Sequence, residues 1–274
     1  MKKILKNNIN LKATLLSGQA FRIKEEIDGS FTVILSDRVV NIKEDNKYLV
    51  LNSNNEEHLE EKVIEYLDLN RDYNKINSEM LSKNPNIKDI IEYSKGYKIL
   101  NQPNFEMLIS YIISQNNSVR NISSCIEKIS KKYGKKVIFN NNEYYLFPTF
   151  NELEDTNEEE LKECKVGFRS RYIINALNEI KKDKNYLNNI NKLSSEDAMN
   201  KLMEVKGIGM KVASCILLFG YGKLDTFPID TWVKKIFNED NQSIIKKEAR
   251  EKYGEYSGLV IQYMFHYSRN KNVL

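Results

Sequence analysis

The stretch Leu202-Met203-Glu204-Val205-Lys206-Gly207-Ile208-Gly209-Met210-Lys211-Val212 decides how this chain reads. Upstream of it, Ser194-Ser195-Glu196-Asp197 supplies a hydroxyl cap with an acidic residue three positions on, the capping-box pattern that opens a helix. Ala198, Leu202 and Val205 then share one helical face. Two glycines two residues apart stop that helix, because glycine reaches positive φ without a Cβ clash. A second helix restarts at once, with Val212, Cys215, Ile216 and Phe219 on its apolar side. The pattern is a helix-hairpin-helix over about residues 195–219.

Such a hairpin suits a polyanion. Gly207 and Gly209 let the backbone approach a phosphate closely, and the second helix adds unpaired N–H groups and the positive end of its dipole. A lone Gly-x-Gly favours an ordinary helix–turn–helix connection, so further residues must decide. Lys211 falls in the first turn of the second helix, with Cys215 one turn later on the same side. A lysine becomes a nucleophile when burial and neighbours lower its pKa, whereas most first-turn lysines are simply solvated. Downstream runs Gly222-Lys223-Leu224-Asp225-Thr226-Phe227-Pro228-Ile229-Asp230-Thr231-Trp232. Pro228 fixes φ, and Asp230 stands just before a helical pattern over residues 232–237. Helix capping explains that aspartate, and a capping carboxylate can also face a cleft.

Working outward, the first ~50 residues read as strands and turns. Strands are expected over residues 18–23, 30–35, 38–42 and 47–52, with Asp28-Gly29 as a hairpin turn. From Glu56 the period changes, Leu59, Val63, Ile64 and Leu67 mark a helix, and almost everything later reads as helical. Residues 104–132 form a long apolar-periodic stretch that Gln115-Asn116-Asn117 can interrupt. A turn is expected at Phe147-Pro148-Thr149, helices over 158–164 and 171–183, and a surface loop over the Asn-rich residues 185–192. The expected fold is therefore α+β. A small N-terminal antiparallel β-sheet domain (1–95) precedes a larger all-α domain (96–274) that contains the hairpin.

Composition narrows the function. The 274 residues, 41% hydrophobic and 29% charged, describe a globular chain with a sizeable core. A net charge of +4 supports a nucleic-acid partner only if the cations gather on one face. Cys125, Cys164 and Cys215 are too few and too scattered for a disulfide framework, a zinc site or an iron–sulfur cluster. His58 and His266, the only histidines, argue against a histidine-built metal centre. The basic start Met1-Lys2-Lys3-Ile4-Leu5-Lys6 lacks the apolar run of a signal peptide. No segment approaches the roughly 20 apolar residues of a membrane span, so a reduced intracellular protein is expected.

The hairpin, a lysine two residues past its second glycine, and a Gly…Pro-x-Asp loop with its aspartate 19 residues beyond that lysine together resemble the helix-hairpin-helix DNA glycosylase superfamily. Within it the chain resembles the 8-oxoguanine DNA glycosylase family over nearly its whole length. Ser17-Gly18-Gln19-Ala20-Phe21-Arg22 resembles the family's Ser-Gly-Gln-x-Phe-Arg motif, which implies that the Gly18 carbonyl accepts the N7–H found only on the oxidised base. Ser114-Gln115-Asn116-Asn117 resembles the segment that fills the gap left by the extruded nucleotide, with Asn116 the best match. Val166-Gly167-Phe168-Arg169-Ser170-Arg171-Tyr172 resembles the segment whose aromatic wedges into the duplex and whose next arginine touches the orphaned base, implying Phe168 and Arg169. Cys215 and Phe265 match the residues on the two faces of the flipped base. Lys211 matches the nucleophile and Asp230 the stabilising carboxylate. Gly207, Gly209 and Trp232 match positions at the DNA backbone, although Trp232 stands where some members carry histidine.

Two departures stand out. Asn121 occupies the place of a second cytosine-reading arginine, and Arg120 beside it points about 100° away around a helix. Ile261 occupies the place of the glutamine that reads the base edge, with Gln262 as its neighbour. The resemblance implies a glycosylase/lyase acting on duplex DNA with oxidised guanine, as a monomer, cytoplasmic and associated with a bacterial nucleoid. It implies no required cofactor and admits a structural monovalent cation on the hairpin carbonyls of residues 206–209. A monofunctional alkylbase glycosylase would keep the hairpin and aspartate but lack Lys211. A non-catalytic hairpin DNA-binding module would need neither Lys211 nor Asp230, and a purely structural helical domain leaves the ordered motifs unexplained.

Overall fold

The computed structural model describes residues 2–271. Five strands, β1 (Lys2–Leu5), β2 (Ile23–Glu25), β3 (Phe31–Leu35), β4 (Arg38–Asp45) and β5 (Tyr48–Ser53), form one antiparallel sheet ordered β1-β5-β4-β3-β2. The register sets Phe31 opposite Ile42, Val33 opposite Val40 and Ile42 opposite Leu51, so apolar residues stack across one face. That face is covered by Leu11, Leu15 and the helix Leu59–Tyr66, which contributes Leu59, Val63 and Tyr66. On the other face Val39 packs with Phe139 and Leu146. Phe139 ends β6 (Lys136–Phe139), which pairs with β7 (Asn142–Tyr145) in a second, two-stranded sheet.

The structure corrects the sequence reading in four places. Residues 18–22 are a turn, and only Ile23–Glu25 of the expected first strand pairs with β3. β1 was not expected: of its four residues only Ile4 is buried, too little for an alternating pattern. The β6–β7 hairpin interrupts a region read as helical, and its turn residues Asn140 and Asn141 both have positive φ, as a tight hairpin turn requires. Residues 185–192 are not a loop, because Tyr186 and Ile190, one turn apart, anchor a helix over Tyr186–Lys192.

The helical part is built on two apolar helices, Asn104–Ser114 and Met210–Tyr221, packed against each other at the centre of the larger core. The long periodic stretch is interrupted as its Asn run allows. Asn116 adopts φ +47°, and Ser118 caps a new helix, Val119–Tyr133, by accepting the Asn121 N–H. Helix Arg169–Lys182 and the C-terminal helix Ser257–Lys271 close the core. Among the described residues no helix is long and apolar enough to cross a membrane.

Arg22 ties the N-terminal segment to this core. Its guanidinium lies 4.0 Å from the Glu106 carboxylate and 3.6 Å from Glu127, and donates to the Tyr145 carbonyl. Burial pushes the Glu106 carboxyl up to about 7, against the pull of Arg22. The folded state thus holds this proton more tightly than the unfolded chain does. The stabilisation is present below the ordinary carboxylate range and is lost as pH rises towards 7. In urea unfolding over pH 5 to 8, Glu106→Gln should gain stability relative to wild type as pH rises; a constant gap would show that Glu106 does not titrate in this way.

Candidate active site

The hairpin joins helix Ser195–Met203 to helix Met210–Tyr221. Ser194 caps the first helix, its Oγ accepting the Asp197 N–H at 3.1 Å. The two glycines differ. Gly207 has φ +107°, and a Cβ there would lie 2.2 Å from Cγ of Tyr172. Gly209 caps the second helix with φ −94°, an ordinary extended conformation, and open space surrounds it among the described residues. The positive φ expected of both therefore holds only for Gly207. From the facing helix, Asn175 Nδ2 donates to the Lys206 carbonyl at 2.8 Å.

Lys211 lies exposed in the first turn of helix Met210–Tyr221, and Cys215, one turn on, is buried. Asp230 caps helix Thr231–Phe237, its Oδ1 accepting the N–H groups of Trp232 at 3.0 Å and Val233 at 2.9 Å. The loop before it is pinned to the C-terminal helix: Gly258 N–H donates to the Leu224 carbonyl at 2.7 Å, and a Cβ on Gly258 would sit 2.1 Å from the Thr226 carbonyl. The amine and the carboxylate both act electrostatically on the thiol. Burial pushes Cys215 up to about 12, the Lys211 amine pulls the other way, and the Asp230 carboxylate adds to the rise. Cys215 is consequently a neutral, apolar packing surface near neutral pH.

Gly18 is held over the same region by residues to which the sequence reading gave no role. Gln19 is buried, its Nε2 donating to the Lys98 carbonyl and its Oε1 accepting the Leu100 N–H, each at 2.9 Å. Its own carbonyl accepts from Gln102 Nε2 at 2.9 Å and from the Tyr111 hydroxyl at 3.2 Å. Burial comes first in raising the Tyr111 hydroxyl, and Cys215 contributes next, which places the Gly18-Gln19 turn near that thiol. Gly18 itself has φ +93° and open space where a side chain would be.

The C-terminal helix brings Phe265 to the cleft, where its ring meets Trp232 edge-on at 5.1 Å. Trp232 thus braces an aromatic wall. Phe265 and Ser17 line a cavity of about 520 Å³ together with Tyr93, Tyr97 and His266. Ile261 is 1% exposed and belongs to the core, whereas Gln262, 9% exposed, lies three residues before Phe265 on its flank of the helix.

Farther along the surface, Phe168 is 56% exposed at the start of helix Arg169–Lys182, with its ring centroid 5.8 Å from that of Tyr172. Arg169 is 8% exposed, unlike the surface cation that composition alone would suggest. Its Nε donates to the Gln115 carbonyl at 2.8 Å, Nη2 to Gln115 and Asn116 carbonyls, and Nη1 to Val166 at 3.2 Å. Asn116 is exposed at its positive-φ position, and Asn121 and Arg120 are both exposed on the next helix. A continuous ridge therefore runs from Gly207 through Tyr172, Phe168 and Arg169 to Asn116. No group of three or more His, Cys, Asp or Glu side chains among the described residues could hold a metal ion.

Fold and cleft together define a helix-hairpin-helix enzyme of base-excision repair. A family model described as 8-oxoguanine DNA glycosylase, N-terminal domain, matches residues 3–108, and one described as HhH-GPD superfamily base excision DNA repair protein matches residues 109–256. A probable N-glycosylase/DNA lyase of Methanothermobacter thermautotrophicus is 30% identical over 242 residues, 79% of this chain and 77% of that protein. The 8-oxoguanine glycosylase/lyase of Clostridium acetobutylicum, solved with DNA bearing cytosine opposite 8-oxoguanine, superimposes with a TM-score of 0.90 at 35% identity, over 98% of this chain and 94% of that one. A 3-methyladenine DNA glycosylase from Archaeoglobus fulgidus shares the fold over 100% of both chains, with TM-score 0.78 at 24% identity. The chain belongs to the 8-oxoguanine DNA glycosylase/lyase family.

The two glycines differ in what a side chain would meet. Gly207→Ala should destabilise the protein by about 2 kcal/mol or more through strain and overpacking against Tyr172. Gly209→Ala should leave the denaturation midpoint nearly unchanged while weakening duplex binding in a filter assay. Equal stability losses in the two variants would contradict the distinction.

Proposed function

We propose that the chain is a bifunctional DNA glycosylase and abasic-site lyase that extrudes 8-oxoguanine from duplex DNA and excises it. The observation that carries the reading is that the Lys211 amine and the Asp230 carboxylate both act electrostatically on the neutral Cys215 thiol. A base inside the stack cannot be reached, so the nucleotide must first leave it, at a cost of a few kcal/mol. Phe168 and Asn116 hold the vacated space, on the ridge that Arg169 stiffens. Four of the five guanidinium N–H groups of Arg169 serve that ridge, which leaves one on Nη1 for the orphaned base. Gly207 and Gly209 carry the backbone contact, with Trp232 beside it.

In the cleft the flipped base lies between Cys215 and Phe265, and the Gly18 carbonyl accepts the N7–H that guanine lacks. Gln262 is the residue on the Phe265 flank able to hydrogen-bond the base edge, since Ile261 is turned into the core. The Lys211 amine forms a bond to C1′ as the bond from C1′ to the base breaks. Positive charge develops on the sugar, and the Asp230 carboxylate, fixed by its capping bonds, stabilises it without reorganising. Loss of an amine proton and opening of the sugar ring at C1′–O4′, whose oxygen is protonated, give the protonated imine, which permits loss of the C2′ proton and elimination of the 3′ phosphate. In this reading residues 1–95 present Gly18, and residues 96–274 carry the chemistry, one duplex per monomer.

The backbone carbonyls of residues 206–209 are the hard oxygen donors a monovalent cation takes, although the Lys206 and Gly209 carbonyls already accept from Asn175 and Ala213. Such an ion would add positive potential where the hairpin meets a phosphate. Cytoplasmic residence beside the nucleoid follows from the substrate. Asn caps helices as well as Asp, so Asp230→Asn keeps the fold while removing the charge. In single-turnover assays on a duplex containing 8-oxoguanine, that variant should release base about 100-fold or more slowly, with an unchanged unfolding midpoint. Wild type that releases no 8-oxoguanine opposite any base would overturn the reading.

A further inference from the structure

We propose that the outward face of helix Val119–Tyr133 is a second duplex-binding surface, which grips the phosphate backbone flanking the point where Phe168 and Asn116 enter. The inference rests on the glycosylase reading for its location and on the charges of this helix for its chemistry. At about 100° per residue, Arg120, Lys128 and Lys131 fall within about 80° of one another, opposite the buried Ile122, Ile126 and Ile129. Arg120 and Lys131 are exposed and Lys128 is half-buried.

Their charges are unneutralised. Among the described residues none of the three pairs with a carboxylate, although neighbouring lysines do: Lys132 with Glu163 at 2.7 Å, Lys136 with Glu143, and Lys162 with Glu159 at 3.2 Å. Lys131 faces only the Tyr145 ring, 6.0 Å from its centroid, which leaves the ammonium open to solvent. The helix carries a single acidic residue, Glu127, and the buried Arg22 guanidinium draws it aside at 3.6 Å. Glu127 lies on the same side of the helix and stays exposed, so the stripe carries three cations to one carboxylate, and that carboxylate has the buried Arg22 as its partner.

The stripe also begins at the right place. Asn116 ends the ridge, Ser118 caps the helix, and Arg120 lies in its first turn. From Arg120 to Lys131 the helix rises about 16 Å. That length matches roughly five phosphates of one strand, at one charge per ~3.4 Å of axis. The partner is thus a regularly spaced phosphodiester backbone rather than an isolated anion.

Affinity for an undamaged duplex several turns long, measured between 50 and 200 mM salt, tests this surface apart from catalysis. The stripe variant is Arg120→Gln, Lys128→Gln, Lys131→Gln together. Its control is Lys132→Gln, Lys136→Gln, Lys162→Gln, which removes the same charge from paired lysines. The slope of log affinity against log salt should become shallower by about 2–3 in the stripe variant, near 0.9 for each lost contact, and by much less in the control. A change no larger than the control's overturns the proposal. Excision by wild type on an 8-oxoguanine duplex, run alongside, tests the function separately: an inactive wild type with the stripe's slope effect intact would overturn the glycosylase reading and leave this surface standing.

Discussion

The close approach of Gly207 to the Tyr172 ring is the constraint on which the ridge from the hairpin to Asn116 depends. No side chain fits there, and the backbone sits at φ +107°, so the hairpin is locked against helix Arg169–Lys182 in one arrangement. Tyr172 in turn meets Phe168, and Arg169 holds the carbonyls of Gln115 and Asn116. Elements more than 90 residues apart in the chain thereby become one stiff ridge. In the proposed reaction this stiffness matters, because a wedge that yields cannot hold a duplex open against stacking.

Behind the ridge, the cleft uses rigid elements to fix small groups. Helix Met210–Tyr221 is apolar and buried from Val212 to Phe219, so Lys211 at its exposed first turn is placed by a helix the core cannot release. Asp230 is fixed by capping bonds, and its loop by the contact of Gly258 with Leu224 and Thr226. Gly18 hangs from Gln19, whose buried amide is anchored on both sides. Each group thus has its own support.

The sequence carried the hairpin plainly, because two glycines between two apolar-periodic runs leave few alternatives. The Asp230 cap was legible for the same local reason. What escaped was set by tertiary contact. β1 has one buried residue, and helix Tyr186–Lys192 has two, so neither produces a periodic signal. The β6–β7 hairpin was readable from Asn140-Asn141, a pair suited to positive φ, but its strands are four residues each. Gly209 looked like Gly207, and only the packing of Tyr172 tells them apart. Gln19, Tyr111 and the inward turn of Arg169 depend on carbonyls tens of residues away, which no local pattern encodes.

The central claim is that Lys211 forms a covalent bond to the sugar. Borohydride reduction of the wild-type protein on an 8-oxoguanine duplex, followed by peptide mapping of the adduct, tests it most directly. The account predicts one protein–DNA adduct, carried on the Lys211 side chain and absent from Lys211→Gln. Release of the base with no adduct, or an adduct mapped to another lysine, would contradict it.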